Sequence, residues 1–364
     1  MKSPNSLYVH IPFCRHLCAY CDFPKVLYNE AWAKSYLGAL FFELEERQIP
    51  KGLKTIYIGG GTPTSLCEKD LETLLSLLRP YLDDDDEFSI EANPETLTQA
   101  KAEILAKYGV NRVSIGMQTT SPRLLKLLGR AHDADEVRRS IALLSESGIA
   151  NINVDLMYGL PFESEEELRK DLDAIASFDV PHISAYSLIL EEGTAFYVKG
   201  IKPLDDDAQQ DQFDIVRDFL ETHGWKRYEI SNFARPGYEC RHNLTYWRDE
   251  PYFAIGLGAS GYVGDSRYVN TRNLQKYLNR DFAGEIEALS KESMVEDFLL
   301  TNLRLVEGFD LGVFKERFGI DFLEAYQGKI RELADRGLLL VSPTRVKATS
   351  RGLDLLDTIL RTLF

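Results

Sequence analysis

Short apolar runs rich in β-branched and aromatic residues recur through the first half of the chain, at 8–13, 55–58, 87–92, 112–117, 151–157 and 182–190, and each predicts a strand. Between them, apolar residues return every three or four positions over 31–48, 71–82, 133–147 and 164–178, which predicts amphipathic helices. Strand and helix alternating in this way predict a parallel sheet, because parallel neighbours need a crossover connection and a helix is the usual one. The runs TIYIGG, VSIGMQ and INVDLMYG stay nearly apolar up to their last residues, as strands buried on both faces do. A doubly wound sheet and a full or partial barrel satisfy that pattern equally.

The pattern breaks in three places. An acidic run at 83–87 predicts a solvated loop with no function of its own. From about residue 228 the periodicity loosens into Gly-rich and aromatic-rich sequence, which predicts an irregular elaboration over 228–290 packed on a core of residues 1–227. Beyond it, helices over 291–305, 311–318 and 325–336, a two-stranded wing at 338–341 and 345–348, and a last helix running to 364 predict a small, winged-helix-like C-terminal domain over 291–364. Basic and acidic residues nearly cancel there, so a structural lid or docking module fits better than a DNA reader.

Composition narrows the function classes. A chain of 364 residues exceeds the length at which single domains usually stop growing. No apolar run approaches the roughly 18 residues of a membrane span, which excludes insertion. A net charge of -15 without a basic patch argues against nucleic acid as a partner. The opening MKSPNSLYVHIPFC lacks the apolar stretch and cleavage site of a secretory signal, which predicts a cytoplasmic protein. Five cysteines in that compartment point to metal or thiolate chemistry rather than disulfides.

Cys14, Cys18 and Cys21 are spaced C-x3-C-x2-C directly after the first predicted strand, so one tight loop can converge three soft thiolates. Such a set selects zinc or an iron–sulfur cluster. A structural zinc site wants a fourth protein ligand, and no fourth thiol follows nearby, although His16 lies inside the loop and His10 just before it. Gly59-Gly60-Gly61-Thr62-Pro63 follows the second strand, where glycines allow a ligand close to the backbone and present N–H groups. Glu91 ends the third strand, Gln118 the fourth, and Asp155 lies in the fifth before a Tyr-Gly-Leu-Pro turn. In a parallel barrel those strand ends share one rim with the cysteine loop. Singly, each polar residue there is as well explained as a cap or turn anchor.

Together CRHLCAYCDF, GGGTP, SIEANPE, GMQT, LGRAH and DLMYGLP resemble the radical S-adenosylmethionine superfamily, and within it the oxygen-independent coproporphyrinogen oxidase branch. The resemblance covers nearly the whole chain and implies a partial (β/α)6 barrel. It implies that Cys14, Cys18 and Cys21 hold a [4Fe-4S] cluster whose open iron chelates S-adenosylmethionine, which is cleaved to methionine and a 5′-deoxyadenosyl radical. Tyr8 matches the tyrosine that supports the cosubstrate, and Tyr20 lies beside the adenine. Gly60, Gly61 and Thr62 meet the methionyl end, and Glu91, Gln118, Arg130 and Asp155 fall where the family binds the ribose and the methionyl carboxylate.

Two departures separate this chain from the oxidase pattern: Phe23 stands where that branch carries a further cysteine, and only thirteen residues precede Cys14. The C-D-F ending of the cysteine motif and the segment His242-Asn243-Leu244-Thr245-Tyr246-Trp247 are similar to haem chaperones of the HemW type. That resemblance implies binding of haem as cargo, apo-haemoprotein acceptors, an electron donor, and peripheral membrane contact through the acceptors. It leaves open whether the chain is an enzyme; anaerobic decarboxylation of coproporphyrinogen III is the rival function. By the resemblance, His242 ligates haem, with Cys240 a second axial candidate; without it, His242 reads as a turn anchor. Cys67 reads as a small buried apolar residue inside a helix, and His132 and His182 read as structural.

Overall fold

In the computed structural model, which describes residues 3–364, β1 (Ser6–Ile11), β2 (Leu53–Gly60), β3 (Leu82–Ala92), β4 (Arg112–Gln118), β5 (Asn151–Tyr158) and β6 (His182–Ser187) lie side by side in chain order, all parallel. Every residue of β4 is buried, as expected of a strand with helices outside it and side chains inside the barrel. The crossover helices α1 (Glu30–Glu46), α2 (Glu68–Leu78), α3 (Gln99–Lys107), α4 (Pro122–Leu128), α5 (Ala134–Glu146) and α6 (Glu165–Ala176) begin on side-chain caps where the sequence offers them. Asp133 with Glu136 and Ser164 with Glu167 form complete capping boxes at α5 and α6. The sheet does not close, so the barrel is partial.

Region 228–290 is more regular than its composition suggests. β7 (Asn232–Ala234) pairs antiparallel with β6, and β8 (Phe253–Ile255) pairs parallel with β1, so this region supplies both flanks of the open barrel sheet. Its Ile255, Leu257, Tyr277 and Phe282 belong to the barrel's own hydrophobic core. The link to the barrel wall is the fully buried Glu43 of α1, which accepts from Gly256 N at 2.9 Å, Tyr277 hydroxyl at 2.7 Å, Asn270 Nδ2 at 2.7 Å and Arg47 Nε at 2.7 Å.

The acidic run is not a free loop: it lies within β3, at a register shift where the pairing with β2 passes from Leu82 to Glu87. Asp83, Asp84 and Asp85 are exposed, but Asp86 and Glu87 turn inward. Buried carboxylates need donors, and Glu87 finds them in the backbone N–H groups of Arg241 at 2.8 Å and His242 at 3.0 Å. Cys67 is also placed differently from its helical reading, as the half-buried N-cap residue of α2.

A second hydrophobic core, dense in phenylalanine (Phe298, Phe309, Phe314, Phe318, Phe322), organises the C-terminal residues. The helices Lys291–Asn302, Leu311–Phe318 and Gln327–Asp335 surround a small antiparallel sheet in which Phe309–Asp310 joins the expected wing, Leu339–Val341 and Arg345–Ala348. The closing helix is two, Ser350–Asp354 and Leu356–Leu363. Arg317 to Asp249 at 2.7 Å, Arg227 to Asp354 at 3.0 Å and Arg304 stacked 4.5 Å over Trp247 fasten this unit to the barrel. Among the described residues no helix is long and apolar enough to cross a membrane.

Candidate functional site

The cysteine loop leaves the end of β1 and is closed at its base by a parallel pairing of Phe13–Cys14 with Val26–Leu27. Its crest is held from two sides: Ala19 N donates to Leu128 O at 2.9 Å, and Phe196 N donates to Ala19 O at 3.0 Å. Gly129 ends α4 in the left-handed region, φ 78°, and a Cβ there would lie 3.4 Å from Leu17 O, so glycine admits the close approach of the loop. Cys14 is buried and Cys18 and Cys21 are half-buried. All three line one cavity of about 400 Å³.

Burial pushes the Cys14 thiol up to about 11, opposed by a hydrogen bond from Thr62 Oγ1 at 3.8 Å. Burial raises Cys18 as well, against the pull of Arg130. Metal loading therefore has to displace protons from these thiols. Among the described residues no three His, Cys, Asp or Glu side chains converge on a single ion. Three thiols on the wall of a shared cavity suit the corners of a polynuclear cluster, whereas zinc asks for ligands around one point.

The glycine turn serves differently from its sequence reading. Gly60 N donates to Glu91 Oε2 at 3.0 Å, Gly61 N to Ile11 O at 2.9 Å and Thr62 N to Phe13 O at 2.8 Å, so these donors are used inside the protein. What requires glycine is space: a Cβ on Gly60, φ 109°, would lie 2.3 Å from the His10 ring, and one on Gly61 would lie 2.7 Å from Pro12 C.

Glu91 accepts from the Tyr57 hydroxyl at 3.0 Å as well as from Gly60 N. Burial, then the neighbouring Asp155, lifts its carboxyl to about 7. Asp155 is raised by burial although Asn153 at 2.7 Å and Ser114 at 3.1 Å donate to it. Arg130 reaches over the cavity, donating to Asn93 Oδ1 at 2.8 Å and the Tyr20 hydroxyl at 2.6 Å, while its Nε has no protein partner. Gln118 ends β4 at φ 66°, at a register shift in the β4–β5 pairing.

The structure thus brings Cys14, Cys18, Tyr20, Cys21, Gly60, Gly61, Thr62, Glu91, Gln118, Arg130 and Asp155 to one cavity. Tyr8 is not on its wall. Its hydroxyl lies 3.0 Å from His10 Nδ1, whose Nε2 lies 2.8 Å from Pro24 O, so Tyr8 braces the loop from behind through His10. Burial lowers His10 to about 4, keeping it neutral. Sequence reasoning missed Tyr57, Asn93, Arg112, Ser114, Asn153 and Asn243 on the wall. Three of the six carried a readable signal: Arg112 and Ser114 alternate with Gly116 and Gln118 along β4, and Asn153 with Asp155 along β5, a period of two inside strands that are otherwise apolar.

His242, expected from the resemblance to ligate haem, is enclosed by the protein. It is fully buried in the helix Arg241–Trp247, with Nδ1 2.7 Å from Thr55 Oγ1 and Nε2 2.7 Å from the Tyr246 hydroxyl, and its ring stacks on Tyr57 at 5.3 Å. Burial takes it down to about 3. Cys240 is equally buried, with its thiol 3.6 Å from Glu87. This helix plugs the barrel floor, and of its His-Asn-Leu-Thr-Tyr-Trp segment Asn243 lines the cavity. His132 and His182 are structural: His132 bonds Met117 O at 2.9 Å, and His182 bonds Asn153 at 2.6 Å and Tyr228 at 2.9 Å.

The Radical SAM superfamily model matches residues 8–175, and the HemN C-terminal domain model matches residues 289–355. The protein named heme chaperone HemW of Lactococcus lactis is 38% identical over 364 residues, 98% of this chain and 96% of its own length. The chain belongs to the HemW haem-chaperone family. The Bacillus subtilis HemW is 39% identical, over 96% of each chain. Among solved structures, the coproporphyrinogen III oxidase HemN of Escherichia coli superposes with a TM-score of 0.87 over 100% of this chain and 90% of that one, at 24% identity, which establishes the shared fold. Membership of the radical SAM superfamily implies a [4Fe-4S] cluster and S-adenosylmethionine as cofactors.

Proposed function

We propose that this HemW-family chain binds haem and hands it to apo-haemoproteins in the cytoplasm, with Cys14, Cys18 and Cys21 holding a [4Fe-4S] cluster at the mouth of the cavity. The observation that carries the reading is the full-length likeness to HemW chaperones, together with three thiols on the wall of a cavity lined by polar strand ends. The bound cluster supplies a one-electron reductant to the sulfonium of S-adenosylmethionine. The chain's own part is to seat that molecule. Arg130, on the cavity wall, offers its guanidinium to a carboxylate. Glu91 and Asp155 accept from ribose hydroxyls, and Gly60 and Gly61, which line the cavity, let the turn that borders the methionyl end pack tightly on His10 and Pro12. Gln118 and Tyr20 close the sides. Tyr8 acts through His10, holding the loop that carries the thiols. An external electron donor and transient contact with membrane-bound acceptors complete the scheme.

The rival reading, coproporphyrinogen III decarboxylation, has the shared fold on its side. Phe23 counts against it: 59% exposed at the cavity mouth, it stands where the oxidase pattern has a further cysteine. The experiment that separates them is anaerobic incubation of the cluster-reconstituted protein with S-adenosylmethionine, reductant and coproporphyrinogen III, followed by mass spectrometry. A second arm titrates haem and follows its passage to apomyoglobin. Intact coproporphyrinogen with haem binding and transfer supports the chaperone; decarboxylated product overturns it.

A further inference from the structure

Beside the cluster cavity lies a second cleft, of about 410 Å³, with apolar walls that include Leu17, Phe23, Val26 and Leu274. Phe23 and Lys25 line both spaces, so the cleft adjoins the cysteine loop. Leu17 and Phe23 are 48% and 59% exposed, large apolar side chains left in water on either side of Cys18 and Cys21. Large apolar side chains clustered in water beside a cleft mark a surface that something apolar covers.

Charge narrows what covers it. Two cations, Lys25 and Arg272, and one acid, Asp22, share the cleft in a chain whose net charge is -15. Arg272 is held in place by backbone: Gly258 N donates to Thr271 O at 2.9 Å, and a Cβ on Gly258, φ 67°, would lie 2.6 Å from Pro24 Cγ and 3.3 Å from Arg272 Cγ. The aliphatic stem of Arg272 therefore lies against the cleft wall while its guanidinium stays free to take an anion. No His, Cys, Met or Tyr is among the residues that line the cleft.

We propose that this cleft is the haem-docking site. The proposal rests on the reading that the chain binds haem. A flat apolar macrocycle carrying two carboxylates matches a cleft in which apolar side chains alternate with Arg272 and with Lys25, whose ammonium also donates to Cys21 O, and the volume lies in the range of small-molecule sites, about 300–1,000 Å³. With no axial ligand from the cleft, the macrocycle and the propionates hold the haem and the iron stays open to an acceptor's ligands, which suits a carrier that must release its cargo.

The test uses the full-length, cluster-reconstituted chain and its Arg272→Glu and Leu274→Asp variants. Each is titrated with haem, with metal-free protoporphyrin IX and with protoporphyrin IX dimethyl ester, while cluster content and melting temperature are recorded. Arg272 is exposed and outside the cluster site, so Arg272→Glu keeps the fold and the cluster. Haem and metal-free porphyrin bind wild type comparably, Arg272→Glu weakens both about tenfold, and the diester binds wild type and Arg272→Glu alike. Leu274→Asp weakens all three. Unchanged affinities in both variants overturn the cleft while leaving haem binding intact, as does haem binding far tighter than the metal-free porphyrin. Failure of the wild-type chain to bind any of the three overturns the haem reading and the cleft with it.

Discussion

Nε2 of His242 lies 2.7 Å from the hydroxyl of Tyr246, one turn further along the same short helix. With Nδ1 on Thr55 at 2.7 Å, the imidazole is a fully used hydrogen-bonding strut between the barrel wall and its plug. His242→Ala should remove two buried hydrogen bonds and leave a cavity, lowering stability by about 2–4 kcal/mol. Haem bound to the surviving folded protein should keep its wild-type absorption maximum. A shifted Soret band at unchanged stability would instead make His242 a ligand that leaves its strut on haem binding.

The three cysteines differ in burial but share the cavity. Cys18→Ala should abolish the cluster, seen as loss of iron, acid-labile sulfide and brown colour, with the melting temperature of the metal-free protein nearly unchanged because Cys18 is only half-buried. A full iron and sulfide complement in that variant would refute the ligand assignment.

Gly60 is confined by its backbone, φ 109°, and by the His10 ring. Gly60→Ala should cost about 2–4 kcal/mol, from the strained conformation and the overlap with the ring. Truncating that ring in a His10→Ala background should recover part of the loss and leave the conformational part. Denaturant melts of the four proteins in this cycle decide it, and simple additivity would contradict the contact.

Glu163, just beyond the Tyr-Gly-Leu-Pro turn, accepts from Leu160 N at 3.1 Å through one oxygen and has no partner for the other. Burial, with Asp171 and Glu167 nearby, lifts it to about 8 from 4.5. The folded state thus holds this proton more tightly than the unfolded state. The contribution is fully present below about pH 4.5 and is lost as pH rises through about 8. Wild-type stability should fall across that window, and Glu163→Gln should flatten the fall by on the order of 1–3 kcal/mol. Melting temperatures between pH 5 and 8.5 for the two proteins, with equal slopes as the refuting outcome, test the sign.

The sequence by itself determined the alternating strands and helices, the cysteine loop, the glycine turn and the strand-end polar residues. Each is a local property: side-chain periodicity follows from backbone geometry, and C-x3-C-x2-C spacing confines three thiols to one short loop, although Leu128 and Phe196 hold its crest. Even Arg112, Ser114 and Asn153, three of the missed lining residues, were present as a period of two in β4 and β5. Only the tertiary structure decided what long-range packing controls. Glu87 looked like part of a solvated acidic run until the chain returned 155 residues later to offer it the His242 amide. His242 looked free to bind a metal until Thr55, 187 residues away, took one ring nitrogen. Region 228–290 looked irregular because its strands are short: two form at the flanks of a sheet built by residues far earlier in the chain, and three more pair with one another. A polar side chain's local sequence limits what it can bind, but whether it faces ligand, water or another buried group depends on which distant atoms desolvate it.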